Sequence, residues 1–140
     1  MLNYQLKSIK GKTKFDFIFN NAFKFYEKDT AIFVCYRAEA SADHSSAVTE
    51  PQIVYYAVSA RKRNVRKAVM RNRIKRLLRE SIRQIFADYT AKGKQTRLSD
   101  FVIVRNSAPE RPGMIKLNDV LPVVKKLIDR AESFKKNKQD

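Results

Sequence analysis

One cysteine, Cys35, is all the chain has, so no intrachain disulfide can form. It sits in an apolar run and reads as a small core residue, in keeping with a reducing, cytoplasmic setting. One histidine, His44, stands beside Asp43 in the Ser/Ala-rich stretch 38–51. Catalytic groups must be held in place, and such a loop offers no scaffold, so His44 reads as a solvated loop residue. Three glycines leave little room for a phosphate-cradling loop, and no nucleophile elbow is present. The acids Asp16, Glu80, Asp100 and Asp119 are scattered singly, without metal-ligand spacing or an acid/base partner. No apolar window is long enough to span a membrane, and MLNYQLKSIKGKTK lacks the apolar core of a secretory signal. These absences leave a binding protein without its own catalytic centre.

Positive charge is what the chain has in excess. Lys and Arg number 30 against 14 Asp and Glu, a formal net charge of +16 over 140 residues. That length and a 44% hydrophobic content fit one domain with one core. The charge concentrates in SARKRNVRKAVMRNRIKRLLRESIRQIF, Ser59 to Phe86. At roughly 100° per residue, Met70, Ile74, Leu77, Leu78, Ile82 and Ile85 fall on one helix face. Asn72, Arg76, Arg79 and Arg83 fall on the opposite face, with Arg71 and Arg73 at the borders. Twenty helical residues span about 30 Å, enough to lie along several phosphates. An ordinary solvated face mixes signs at i, i+4, whereas Glu80 is the only acid between Arg61 and Arg83. A polyanion would relieve the repulsion, and nucleic acid is the partner this footprint favours. A membrane-surface helix is the weaker reading, because the aliphatic face has strands to cover.

Taken in order, residues 1–12 are polar, basic and extended. TKFDFIFNNAFKF, residues 13–25, has helical spacing at Phe15, Ile18, Phe19, Ala22 and Phe23, with Thr13 as N-cap and Asp16 completing a capping box. Core packing is the ordinary fate of such rings. Phe15, Phe17, Phe19, Phe23 and Phe25 nonetheless exceed what one side of a short helix can bury, which leaves rings to stack on bases. TAIFVCYR (30–37) and QIVYYAVS (52–59) read as strands, the second with Ile53, Tyr55, Ala57 and Ser59 on one face and Val54, Tyr56 and Val58 on the other. Between them, 38–51 reads as a mobile loop. Asn64 is the expected cap of the basic helix, which fades near Asp88. DFVIVR (100–105) is a further strand, and NSAPERPG (106–113) a turn-rich loop. Residues 117–135 read as a closing helix with Leu117, Val120, Leu121, Val124, Leu127, Ile128 and Ala131 on one face. Asn118 is its expected cap, with Pro122 in the first turn, and the charged tail at about 135–140 is expected to fray. The pattern is an α+β sandwich, helices on a small sheet.

The run KAVMRNRIKRLLRE, Lys67–Glu80, closely resembles the signature of the bacterial ribonuclease P protein component. Weaker matches flank it in order: the aromatics Phe15, Phe17 and Phe19, the lead AVSARK (57–62), and the strand DFVIVR. The resemblance covers roughly residues 6–135 and implies a single ribonuclease P protein domain over 1–140. It implies an αβββαβα fold of the ribosomal protein S5 domain 2-like type, with a left-handed βαβ crossover, against the usual rule of hand. It implies an accessory subunit of an endoribonuclease. A catalytic RNA subunit, with Mg2+ bound mainly by that RNA, removes the 5′ leader of precursor tRNA, and no catalytic residue is expected in the protein. The implied partners are ribonuclease P RNA and the precursor tRNA leader, with no membrane and no obligate protein partner. Arg71, Asn72, Arg73, Lys75 and Arg76 match the RNA-facing motif. Arg61, Lys62, Arg63, Arg66, Lys67 and Arg79 extend the cationic surface. Phe15 and Phe19 match the aromatics of a leader cleft between the first helix and the sheet, and Tyr36 matches an aromatic on the first strand lining the same cleft.

A ribosomal or other structural RNA-binding protein would explain the charge but not the RNR run with its ordered flanks. A helix-turn-helix DNA binder needs a short helix packed before the reading helix, and a strand stands there instead. A self-sufficient ribonuclease needs an acid/base pair the chain does not supply.

Overall fold

A computed structural model describes residues 4–37, 52–107 and 115–134. The loop 38–51, with His44, and the tail after residue 134 lie outside the described residues, as does most of the 106–113 loop. The elements in order are β1 (Tyr4–Ser8), α1 (Lys12–Asn21), β2 (Phe23–Glu27), β3 (Thr30–Tyr36), β4 (Gln52–Ala60), α2 (Ala68–Lys92), β5 (Leu98–Arg105) and α3 (Leu117–Ser133). This is the expected α+β series αβββαβα with one more strand, β1, ahead of it.

One sheet of five strands runs β1-β4-β5-β3-β2. β1 pairs parallel with β4, and β4 parallel with β5. β5, β3 and β2 pair antiparallel. Parallel neighbours need a long crossover, and α2 supplies it between β4 and β5. α2 and α3 cover one face of the sheet. There Ile32, Val34, Val54, Phe101 and Ile103 meet Ile74, Leu78, Ile82 and Phe86 of α2 and Val124, Leu127 and Ile128 of α3. The shorter α1 lies on the other face, where Ile18 packs on Ile9 and Val102. Strand alternation divides β4 as expected: Val54, Tyr56 and Val58 join the first cluster, Tyr55 and Ala57 the second.

Four local expectations are corrected. The stretch 13–25 is a helix only to Asn21. Phe23 and Phe25, two residues apart, share a face in a strand but not in a helix, and they begin a hairpin that turns through Lys28 at φ 53°. Gly11, at φ 94°, is the N-cap of α1, and Thr13 lies inside the helix. Asn64 does not cap α2. The helix starts after Lys67, and Asn64 instead donates its side-chain amide to the Asn106 carbonyl (2.5 Å). α3 is preceded by Lys116, whose backbone N–H donates to the Asp119 carboxylate (2.9 Å). Asn118 is therefore helical, and Pro122 falls beyond the first turn, on the exposed side.

Gly93 closes α2 in the left-handed conformation at φ 65°, the position glycine takes at helix ends, and Lys94 N–H then reaches the Tyr89 carbonyl (2.9 Å). Among the described residues no helix is long and apolar enough to cross a membrane.

Candidate nucleic-acid interface

α1 covers only part of its face of the sheet, and a groove remains beside it. Phe15 and Phe19, one turn apart, bring their rings to 6.3 Å at an interplanar angle of 20°. Phe19 then meets Phe33 of β3 edge-to-face at 4.8 Å. Phe19 remains 45% exposed and Tyr26 of β2 55%. Lys24 stands 5.0 Å from the centre of the Phe33 ring, an attractive cation–π distance. Phe19, Lys24, Tyr26, Phe33, Arg61 and Lys62 border a hollow of about 550 Å³. Near the other end of α1, Lys14 lies 4.1 Å over the Tyr55 ring and 3.1 Å from Asp100. Cys35 borders the same cluster rather than the main core. Burial, then the nearby Asp100 carboxylate, pushes its thiol pKa up, so the thiol stays protonated at neutral pH.

The cations Arg61, Lys62, Arg63, Arg66 and Lys67 are exposed on the connection between β4 and α2. Val65 among them is buried and pins that connection to the core. Along α2, Asn72, Arg76 and Arg79 are exposed and Lys75 is half-buried. Among the described residues, the ion pairs involve none of these side chains; Arg83 alone on this face is neutralised, by Glu80 at 2.5 Å. The first turn of α2 also lacks an acid, so the positive end of the helix dipole adds to the side-chain charge. Arg61 and Lys62 border the hollow and begin the cationic run, so the groove meets there the connection that leads into α2.

The remaining two members of the motif behave differently. Arg71 donates Nη1 to the carbonyls of Val65 (2.9 Å) and Arg66 (2.6 Å). Arg73 donates Nε and Nη2 to the Ile115 carbonyl (3.2 and 3.0 Å). Both are half-buried, as their border positions on the wheel imply.

Tyr36 does not line the groove. It lies on the α3 face, donates its hydroxyl to the Ala131 carbonyl (2.6 Å), and packs against Phe23 and Phe134. Arg97 covers its ring at 4.7 Å and donates to the carbonyls of Glu132 (2.7 Å) and Phe134 (2.5 Å), so this cluster ties down the end of α3. Burial pushes the Tyr36 pKa up to about 12. The groove aromatic of β3 is Phe33, and Tyr55 of β4 lies on the same sheet face beneath Lys14, outside the hollow. Sequence reasoning missed Phe33 as a site residue. Counting β3 by twos from Cys35 reaches Phe33.

The profile of the Ribonuclease P family matches residues 5–132. The ribonuclease P protein component of Helicobacter hepaticus is 30% identical over 95 residues, 61% of this chain and 63% of that protein. The match thus spans a little under two thirds of that relative's length. The Staphylococcus aureus RNase P protein superposes with a TM-score of 0.59 at 16% identity, covering 91% of this chain and 97% of that one. A mutant of the S. aureus protein with defective mRNA degradation activity gives 0.58 at 18% identity, covering 91% and 89%. With the matched profile running from β1 into the last turn of α3, the chain belongs to the ribonuclease P protein family.

Proposed function

We propose that the chain is the accessory subunit of an RNA-based ribonuclease P, which binds the catalytic RNA and the 5′ leader of precursor tRNA. The observation that carries this reading is the meeting of the aromatic groove and the cationic connection at Arg61 and Lys62. The aromatic groove suits single-stranded bases of any sequence, since every base has a face to stack. The cationic turn and the outer face of α2 suit the phosphates of a folded RNA. A strand lying in the groove would leave it beside the RNA held on α2, which brings substrate and catalyst together. Phe15 and Phe19 keep their assigned leader role, joined by Phe33, and Tyr36 is withdrawn from it.

Among the described residues no three His, Cys, Asp or Glu side chains gather into a ligand set. The reading leaves Mg2+ with the RNA, where it supplies the activated water of hydrolysis. This chain's residues bind, orient and neutralise charge. The working compartment in this reading is the cytoplasm.

Reconstitution tests the proposal. The chain is mixed with ribonuclease P RNA from its source and a 5′-labelled precursor tRNA at low Mg2+, beside RNA-only and protein-only controls. Release of the leader at the mature 5′ end by the mixture alone is the expected result. Cleavage by the protein alone would reveal an unrecognised catalytic site. A mixture no faster than the RNA would favour a structural RNA-binding role of the ribosomal type.

A further inference from the structure

In the RNR motif, Asn72 stands exposed between two arginines that are turned back onto the protein. Arg71 and Arg73 are about 200° apart around the helix, so they leave it on opposite flanks. On one flank, both contacts of Arg71 Nη1 fall on the connection that carries Arg61, Lys62, Arg63, Arg66 and Lys67. That connection has no strand or helix ladder of its own. It is held by Arg61 N–H on the Arg105 carbonyl (2.9 Å), by the Asn64 side-chain amide on the Asn106 carbonyl, by a turn in which Val65 N–H reaches the Arg61 carbonyl (2.8 Å), by buried Val65, and by Arg71. On the other flank, Arg73 sets two donors on the carbonyl of Ile115, a core residue just ahead of α3. Hydrogen bonds from a charged donor are among the stronger ones, and a guanidinium spans its acceptors with a fixed geometry.

We propose that Arg71 and Arg73 are positioning residues. Arg71 shapes the cationic connection into the surface that RNA meets, and Arg73 fixes the start of α3 against α2. Direct phosphate contact is left to Arg76, Arg79 and the cations of the connection. On this proposal not every cation of the motif faces RNA, and it rests on the RNA-binding reading above.

Three variants of the full chain test it: Arg71→Gln, Arg73→Lys, which keeps the charge but not the two-donor fork, and Arg76→Gln. Amide hydrogen exchange on the free protein is read first. Arg71→Gln should speed exchange at Asn64 and Val65, and Arg73→Lys at Asp119 and Val120, each by about three- to tenfold, the equivalent of one lost hydrogen bond. Arg76→Gln should change neither segment. Binding to ribonuclease P RNA from the same source is then measured across a salt series. Arg71→Gln and Arg73→Lys should weaken binding with the salt slope of the unaltered chain. Arg76→Gln should lower the slope by about 0.7–0.9, one phosphate contact. The proposal is overturned if Arg71→Gln lowers the slope as Arg76→Gln does while exchange at Asn64 and Val65 is unchanged, or if Arg73→Lys leaves exchange at Asp119 and Val120 unaltered. Should the unaltered chain prefer this RNA no more than an unrelated folded RNA, the partner reading fails, and the exchange data still decide the positioning roles.

Discussion

The two faces of the sheet are built from the same strands and have opposite fates. On one, α2 and α3 together seal Ile32, Val34, Val54, Phe101 and Ile103 to 1% exposure or less. On the other, the ten-residue α1 packs on a smaller buried cluster of Ile9, Ile18 and Val102. The large hydrophobics left exposed include Phe19 and Tyr26, both bordering the groove on that second side. Strand alternation supplies apolar side chains to both faces. The length of the covering helices decides which face becomes core and which keeps a groove. A sealed face can only stabilise, whereas a half-covered one can still accept a ligand.

The sharpest way to break this contrast is to truncate one ring on each face. Phe101 is fully buried and stacks on Phe86 at 6.1 Å. Phe101→Ala should cost about 3–5 kcal/mol of stability, read by urea denaturation. Phe19→Ala, on the open face, should cost about 1 kcal/mol or less by the same measurement. It should instead weaken binding of a single-stranded leader by about 1–3 kcal/mol, with smaller loss of affinity for the catalytic RNA. If Phe19→Ala unfolds the chain, the open face is core after all. Phe33→Ala sharpens the test. It removes the floor on which Phe19 rests, and its loss of leader binding should match that of Phe19→Ala, with a larger stability cost because Phe33 is half-buried.

Helix α3 and the apolar face of α2 were legible because 3.6-residue periodicity over many turns is hard to imitate. Ile74, Leu78, Ile82 and Ile85 are buried where the wheel put them. The faces of β4 were legible from alternation. Short elements were not. β2 is five residues long, and its Phe23 and Phe25 continue an aromatic run that also fits a helix until the break at Asn21 and Ala22 is known. β1 is polar and basic, and what makes it a strand is pairing with β4, a contact 48 residues away in the register Tyr4 to Gln52. Tyr36 shows the limit at a single residue. The ladder slips between Cys35 and Tyr36, where β5 opposes them with Asp100 and Leu98. Only the packed structure shows that the ring turns to α3. The motif arginines show the same limit. A wheel puts Arg71 and Arg73 at borders, but the carbonyls they reach belong to other segments.

Tyr36→Phe gives the smallest expected effect and the finest separation of the faces. The change removes the hydrogen bond to Ala131 and keeps the ring between Phe23 and Phe134. Stability should fall by about 1 kcal/mol, with leader binding unchanged, because the ring lies across the sheet from Phe19. The pH dependence gives an independent check. The phenol has a pKa of about 12 in the folded chain against the ordinary 10.0, because burial disfavours the phenolate. Below pH 10 both states keep the proton and the contribution of Tyr36 is complete. Above it the unfolded chain loses the proton first, so that contribution declines as pH rises from 10 toward 12. Denaturation of the two proteins across this range should therefore converge, since phenylalanine has no proton to lose. A constant difference between them would mean that the Tyr36 hydroxyl titrates as freely as a surface tyrosine. A loss of leader binding in Tyr36→Phe would show that the two faces are coupled through β3.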